Sequence, residues 1–321
     1  MNCPACGASQ SSLRLSHILY DDRYGYPGEY RLLSCKECSH QFLNVDFSAA
    51  QIGDLYSNYY PRSNFSLADH RPHQELNGFS AWLDGAKSKA FRWVPPGVRV
   101  LDIGCGFGET LGYHRTRGCD AYGVEADTNI LRVAEKYGYN VRVGLFKPED
   151  WEPNSFDYVT MDQVIEHVQE PVKTLEGIAQ VLKPGGIALL GTPNAQGWGA
   201  KLFGKRWINW HTPYHLQFFS LRSMQLASER AGLELVKAVT ITPSAWLHFQ
   251  WIHLLNFPVQ GECSPFWAAS SGAHQYGRWR GRLLRVLIKL NSLKGNHILT
   301  RILDGLGIGD SRLFILRKPQ V

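Results

Sequence analysis

Val98-Arg99-Val100-Leu101-Asp102-Ile103-Gly104-Cys105-Gly106-Phe107-Gly108 is the stretch on which the fold turns. An apolar run long enough for one buried strand meets an acid, and three glycines at alternate positions follow before a helical stretch. Glycine permits the backbone of a tight strand-to-helix turn and lets the main chain pass close to a ligand. In open α/β sheets that turn lies at the carboxyl edge, where ligands bind. The next strand ends on Tyr122-Gly123-Val124-Glu125, whose carboxylate can accept hydrogen bonds from both hydroxyls of a ribose. An acid before the first glycine suits a ligand with a cationic amino-acid end. The pyrophosphate of a nicotinamide dinucleotide would gain nothing from Asp102 beside it.

Working outward, strand and helix signals alternate as in a doubly wound sheet. Strands are expected at 98–103, 121–125, 141–143, 156–161, 187–192 and 233–241, with a seventh at 312–317. Helices are expected at 108–117, 129–137, 171–182 and 221–231. Upstream, a connecting segment carries Tyr56, Tyr59, Tyr60 and Phe65, and the amphipathic stretch 74–93 predicts a helix ended by Pro95-Pro96-Gly97. The sixth and seventh strands are separated by a long insertion.

Cys3, Cys6, Cys35 and Cys38 form a C-x-x-C…C-x-x-C pattern at the start of the chain. Each pair puts two thiolates on one knuckle, and two facing knuckles make the tetrahedral sulfur cage that zinc prefers. His40 is left out of the ligand set because four thiolates already satisfy the ion. A zinc ribbon over 1–46 follows, as a structural clip for a module too small to build its own core. The full division is ribbon 1–46, linker and helical segment 47–97, cofactor-binding core 98–242, helical cap 243–310, and final core strand 311–321.

The composition agrees with a folded α/β protein: 321 residues, 44% hydrophobic and 19% charged. A net charge of +6 permits an acidic partner without demanding one. The first residues lack a signal-peptide pattern and no apolar run approaches a membrane span, so a cytoplasmic location is expected. Seven cysteines in a reducing compartment favour metal ligation over disulfides.

Phe156-Asp157-Tyr158-Val159, Glu166-His167-Val168 and Leu182-Lys183-Pro184-Gly185-Gly186, in that order after the glycine turn, resemble the class I S-adenosylmethionine methyltransferases. The resemblance covers 98–241 and is strongest to the bacterial group containing ubiquinone-biosynthesis O-methyltransferases and many enzymes of glycan and natural-product pathways. It implies a Rossmann-like seven-stranded sheet, with the N-terminal zinc ribbon and a helical insertion between strands six and seven as additions. It also implies that Gly104, Gly106 and Gly108, beside Asp102, line the methionine side of the cofactor. Glu125 would then hold the ribose, and Asp162 and Gln163 would lie under the sulfonium. Val143-Gly144-Leu145-Phe146 stands where many relatives carry an adenine-binding aspartate, which leaves Leu145 as the adenine-side residue.

Methyl transfer requires alignment and, for a protonated acceptor, a base. The spacing Asn194…Gly204-x-x-Trp207…Pro213-x-His215-x-x-x-Phe219-Ser220 resembles a segment of relatives, and its His215-x-x-x-Phe219-Ser220 part resembles the segment of zinc-bearing sugar C-methyltransferases whose histidine is the base, with Pro213 and Tyr214 in place of that segment's acidic pair. His215 is the first candidate, His167 the second, and His211 shares the loop. Trp246, His248, Phe249, Trp251, His253 and Phe257 give the insertion an aromatic lining. Arg278, Arg280, Arg282, Arg285 and Lys289 alternate with apolar residues as a basic amphipathic helix near 278–290. That helix is either a lid or a peripheral contact with an anionic membrane. The expected reaction is methylation of a small-molecule or glycan/lipid-linked acceptor, at oxygen or, as a variant, at carbon of a nucleotide sugar. An RNA methyltransferase is a further alternative, disfavoured because basic residues are scattered in the ribbon and the segment typical of base-amine methylation is absent.

Overall fold

The computed structural model describes residues 1–59, 67–68, 70–267 and 278–320. The side chains of Ala49, Ser57, Arg278 and Arg280 lie outside the description, as do Tyr60 and Phe65 of the connecting segment.

Three strands open the chain: β1 (Leu13–Leu19), β2 (Tyr30–Cys35) and β3 (Gln41–Leu43), paired antiparallel in sequence order. Between β1 and β2, the Asp21 carboxylate accepts hydrogen bonds from the N–H groups of Arg23, Tyr24 and Tyr26, each at 2.9 Å, which fixes the shape of the loop. A short helix α1 (Ala49–Asp54) follows, opened by a capping box from Ser48 and Gln51.

The expected helix at 74–93 does not form as one element. It breaks into α2 (Gly78–Asp84) and two 3-10 turns, Ala86–Ser88 and Ala90–Trp93. Gly85 ends α2 at φ 73°, and a side chain there would strike the Thr242 carbonyl and the Arg301 guanidinium. The backbone is held at this point by distant segments, and packing overrides local helix propensity.

The main sheet has seven strands: β4 (Arg99–Ile103), β5 (Asp120–Glu125), β6 (Asn140–Val143), β7 (Phe156–Asp162), β8 (Leu182–Pro193), β10 (Glu234–Thr240) and β11 (Ser311–Arg317). Their order is β10-β11-β8-β7-β4-β5-β6, with only β11 antiparallel to its neighbours. Helices α3 (Glu109–Thr116), α4 (Ile130–Tyr137) and α5 (Pro171–Val181) follow β4, β5 and β7. They bury Leu111, Ile130, Val133, Leu175 and Ile178 against the sheet. After β8 come α6 (Trp198–Phe203), the two-residue strand β9 (Gln217–Phe218) and α7 (Leu221–Arg230). The insertion between β10 and β11 holds α8 (Ala245–Leu255), α9 (Arg278–Ser292) and α10 (Gly295–Gly305).

The strand β9 joins the ribbon and not the main sheet: it pairs antiparallel with β3, Gln41 opposite Phe218 and Phe42 opposite Gln217. Around it the ribbon and the core share their interior. Cys3, Ala5, Cys35 and Cys38 pack in one cluster with Phe219, Met224, Ala227 and Ala231. Tyr24, Tyr26, Tyr30, Leu32 and Leu43 pack with Trp207, Trp210, Tyr214, Leu216 and Phe218. The Ser220 hydroxyl donates to the Cys38 carbonyl at 2.5 Å, and Arg230 to the Ala5 carbonyl at 2.8 Å.

Candidate active site

The glycine turn sits between β4 and α3, with Gly104, Gly106 and Gly108 at φ 78°, 55° and 82°. A side chain at Gly104 would run into Val164. The N–H groups of Gly104 and Cys105 donate to the Val124 carbonyl, tying the turn to the end of β5. There the Glu125 carboxylate accepts from Gly106 N–H and Asp127 N–H, both at 2.9 Å, and so stands at the mouth of the turn. Asp102 is buried beneath, accepting from the hydroxyls of Thr110 and Thr160. Burial pushes its carboxyl up to about 6 against those two bonds.

Asp162 closes β7, and burial raises its carboxyl while Lys89, 3.6 Å away, opposes the rise. The next residue, Gln163, has φ 60°, an uncommon backbone for a side chain of this size, held by its N–H to the Gly191 carbonyl at 2.8 Å. Leu145 behaves differently: its side chain is 79% exposed, in the loop after β6. The fold thus gathers Asp102, the three glycines and Glu125, carries Asp162 and Gln163 to the end of the neighbouring strand, and leaves Leu145 turned to solvent.

A second cluster of candidate residues is built from positions far apart in sequence. Rings of His167 and His215 stand perpendicular at 4.6 Å between centroids, and His211 lies 4.8 Å from His215. His215 Nδ1 is 2.8 Å from the Asn209 carbonyl, and His167 Nδ1 is 2.9 Å from the Tyr214 carbonyl. A carbonyl only accepts, so each Nδ1 carries the proton and each Nε2 the lone pair. Burial pushes His167 down to about 4 and His211 and His215 well below the ordinary imidazole range, so all three are neutral at pH 7. His211 has φ 38° and packs on Tyr214 and on Tyr24 of the ribbon loop. That loop also sends the Arg23 guanidinium to the Ile208 carbonyl at 2.5 Å. From the insertion, Gln250 of α8 accepts from Ile208 N–H at 2.8 Å and donates to the Arg206 carbonyl at 2.9 Å. Ribbon, core and insertion therefore all contact the segment 206–215.

Glu166, one residue before His167, is completely buried. Its Oε2 accepts from the Thr192 hydroxyl at 3.1 Å, and Oε1 has no hydrogen-bond partner among the described residues. The motif Glu166-His167-Val168 was visible in the sequence, but nothing local distinguishes Glu166 from a packing residue. Its meaning comes from His215, brought up from a separate segment.

In the ribbon, Cys3 and Cys38 Sγ lie 3.6 Å apart and Cys6 and Cys35 Sγ 3.8 Å apart, with all four sulfurs within 4.8 Å of one another. Sulfurs at 2.3 Å from a tetrahedral zinc ion stand about 3.8 Å apart, so the set fits such an ion. His40 stays outside it, fully buried with Nε2 2.9 Å from Gln217 Oε1, and so links β3 to β9.

A sheet of this order with an acid–glycine turn at β4 and a carboxylate at the end of β5 defines the Rossmann-like class I methyltransferase fold. Residues 70–238 match the methyltransferase domain family, and the chain belongs to it. Over 136 residues it is 29% identical to the ubiquinone biosynthesis O-methyltransferase of Paracidovorax citrulli, covering 40% of this chain and 55% of that protein. Over 135 residues it is 33% identical to the protein of the same name from Paraburkholderia phymatum, covering 40% and 56%. The match thus spans little more than half the length of these curated relatives. Phosphoethanolamine N-methyltransferase 2 of Haemonchus contortus, solved with S-adenosyl-L-methionine, is 18% identical with a TM-score of 0.49, covering 96% of this chain and 69% of that one.

Proposed function

We propose that this protein transfers the methyl group of S-adenosylmethionine to an oxygen of a small-molecule, glycan-type or lipid-linked acceptor. The reading is supported by the Asp102–Glu125 turn, whose Gly104 faces Val164, and by a buried cluster of neutral histidines that includes His167, three residues beyond Val164. S-adenosylmethionine supplies an electrophilic methyl on a sulfonium sulfur, which leaves with the C–S electron pair as the acceptor oxygen bonds to carbon. Glu125 holds the ribose hydroxyls, and the open turn at 104–108 admits the methionine end. Asp102 and Asp162 lend negative potential to a cofactor that is cationic at both sulfur and amine. His215, its Nδ1–H fixed on the Asn209 carbonyl, presents a lone pair that can take the acceptor's proton, with His167 and His211 beside it. The names of the curated relatives favour oxygen over carbon as the atom methylated.

Two further assignments belong to this reading. Zinc in the four-cysteine cage acts as a structural clip. The outer face of α9, where Arg282, Arg285 and Lys289 adjoin exposed Trp279, Val286 and Leu290, rests on an anionic membrane surface and brings the site to a lipid-linked acceptor.

Calorimetry tests the cofactor half. S-adenosylmethionine should bind the wild type, and Glu125→Ala should weaken it about 100-fold, the worth of two charge-assisted hydrogen bonds. No heat with the wild type, or an unchanged affinity in the variant, rejects the proposal. With a panel of hydroxylated acceptors, His215→Ala should release S-adenosylhomocysteine at least about 100-fold more slowly with cofactor affinity intact.

A further inference from the structure

The set Glu166, His167 and His215 has a property that a base alone does not need. Each residue can bring one ligand atom within 4.8 Å of the other two. Both histidines have committed Nδ1–H to backbone carbonyls, so what remains to them is the Nε2 lone pair. Glu166 adds Oε1, which is buried and unpartnered among the described residues, while its Oε2 is held by Thr192. Three potential ligand atoms thus share one small space; the carboxyl is wholly buried, and burial pushes it up to about 8, so that without an ion it keeps a proton at pH 7 that metal binding would release.

We infer that Glu166, His167 and His215 hold a divalent first-row transition metal ion, distinct from the ion of the cysteine cage. The donors are two imidazoles and one carboxylate, a set that leaves coordination positions open, as catalytic zinc and non-haem metal sites do. Imidazoles that bind metal through one nitrogen nearly always donate the other N–H to a carbonyl or carboxylate, and a ligating carboxylate is itself hydrogen-bonded. All three residues show that arrangement here. Three ligand atoms at 2.0–2.2 Å from one ion stand about 3.0 to 3.8 Å apart, so closing the set from within 4.8 Å requires side-chain shifts of up to about 1 Å.

The inference rests on the methyl-transfer reading for its purpose: the open positions take the acceptor's oxygen. Coordination lowers the pKa of that oxygen, its proton passes to water, and the oxygen attacks the methyl carbon as the C–S bond breaks toward sulfur. His215 then serves as a ligand in place of the base role proposed for it above, and the acceptors favoured are those with two neighbouring oxygens able to chelate.

The experiment is a calorimetric titration with Zn2+, and separately with Co2+, of full-length protein already carrying one zinc per chain. The wild type should take up one further equivalent. Glu166→Gln and His215→Ala should each weaken this second event more than about 100-fold while the first zinc stays bound. Thr192→Val, which removes only the hydrogen bond to Glu166, should weaken it about 10-fold. A wild type that stops at one equivalent, or a second equivalent bound unchanged by both ligand variants, overturns the inference. S-adenosylmethionine titrated into the same samples separates the two proposals, since its failure to bind sinks methyl transfer and leaves the metal count standing.

Discussion

At the residue scale, what could be known in advance was what is local. The turn 102–108 and Glu125 are neighbours along two consecutive strands, so their joint chemistry is written in a short stretch of sequence. Leu145 is placed by its position along the chain alone, and its side chain is 79% exposed. His114 makes a second case. It occupies α3 with no exposed surface, against Phe91 and Tyr113, and neither ring nitrogen has a hydrogen-bond partner among the described residues. Burial, helped by the charge of Arg117, pushes it from 6.5 down to about 4. Below pH 6.5 the unfolded chain therefore binds a proton that the folded chain refuses. Its contribution is constant above 6.5, and stability is lost as the pH falls from 6.5 toward 4, by about 3 kcal/mol in all. His114→Leu should flatten the urea-denaturation midpoint across that window. A midpoint that falls as steeply in the variant as in the wild type would assign the acid limb to other groups.

At the element scale, periodicity found every strand of the main sheet, because each buried strand repeats its own pattern. It failed at 74–93, where Gly85 and contacts with Thr242 and Arg301 break a stretch that is amphipathic on paper. It also gave no hint of β9, a strand of two residues whose partner lies some 175 positions away in the ribbon. That pairing makes the four-cysteine cluster a support for the neighbouring segment 206–218 as well as for its own loops. Removing the ion with a strong chelator, or by Cys38→Ser, should lower the melting temperature of the whole chain in one transition, by about 5 °C if several kcal/mol of metal binding are lost. Two transitions, the upper one unmoved, would show that the cage stabilises only its own loops.

At the scale of the whole molecule, three parts of the chain converge on 206–215, and the insertion adds a surface of its own. No helix among the described residues is long and apolar enough to cross a membrane. Yet α9 and α10 expose Trp279, Val286, Leu290, Ile298, Ile302 and Leu306 beside the basic side chains of α9. An apolar face flanked by cations suits the headgroup region of an anionic bilayer. Co-sedimentation should show binding to vesicles of phosphatidylcholine with 30% phosphatidylserine, weakened by salt and by Val286→Glu with Leu290→Glu. Equal binding to pure phosphatidylcholine, or none to either, removes the membrane from the proposal.

The seating of β9 on β3 also sets a timetable for synthesis. The first forty-odd residues leave the ribosome with their cysteines in reach of one another, but the edge of their small sheet stays open until residues 217 and 218 have emerged. At ordinary elongation rates that is a wait of about 10 to 40 seconds. During it, the aromatic underside of the hairpin lacks the cover that Trp207, Trp210, Tyr214 and Phe218 later give it. An early metal ion, or a chaperone holding the nascent chain, would protect the half-built ribbon over that interval.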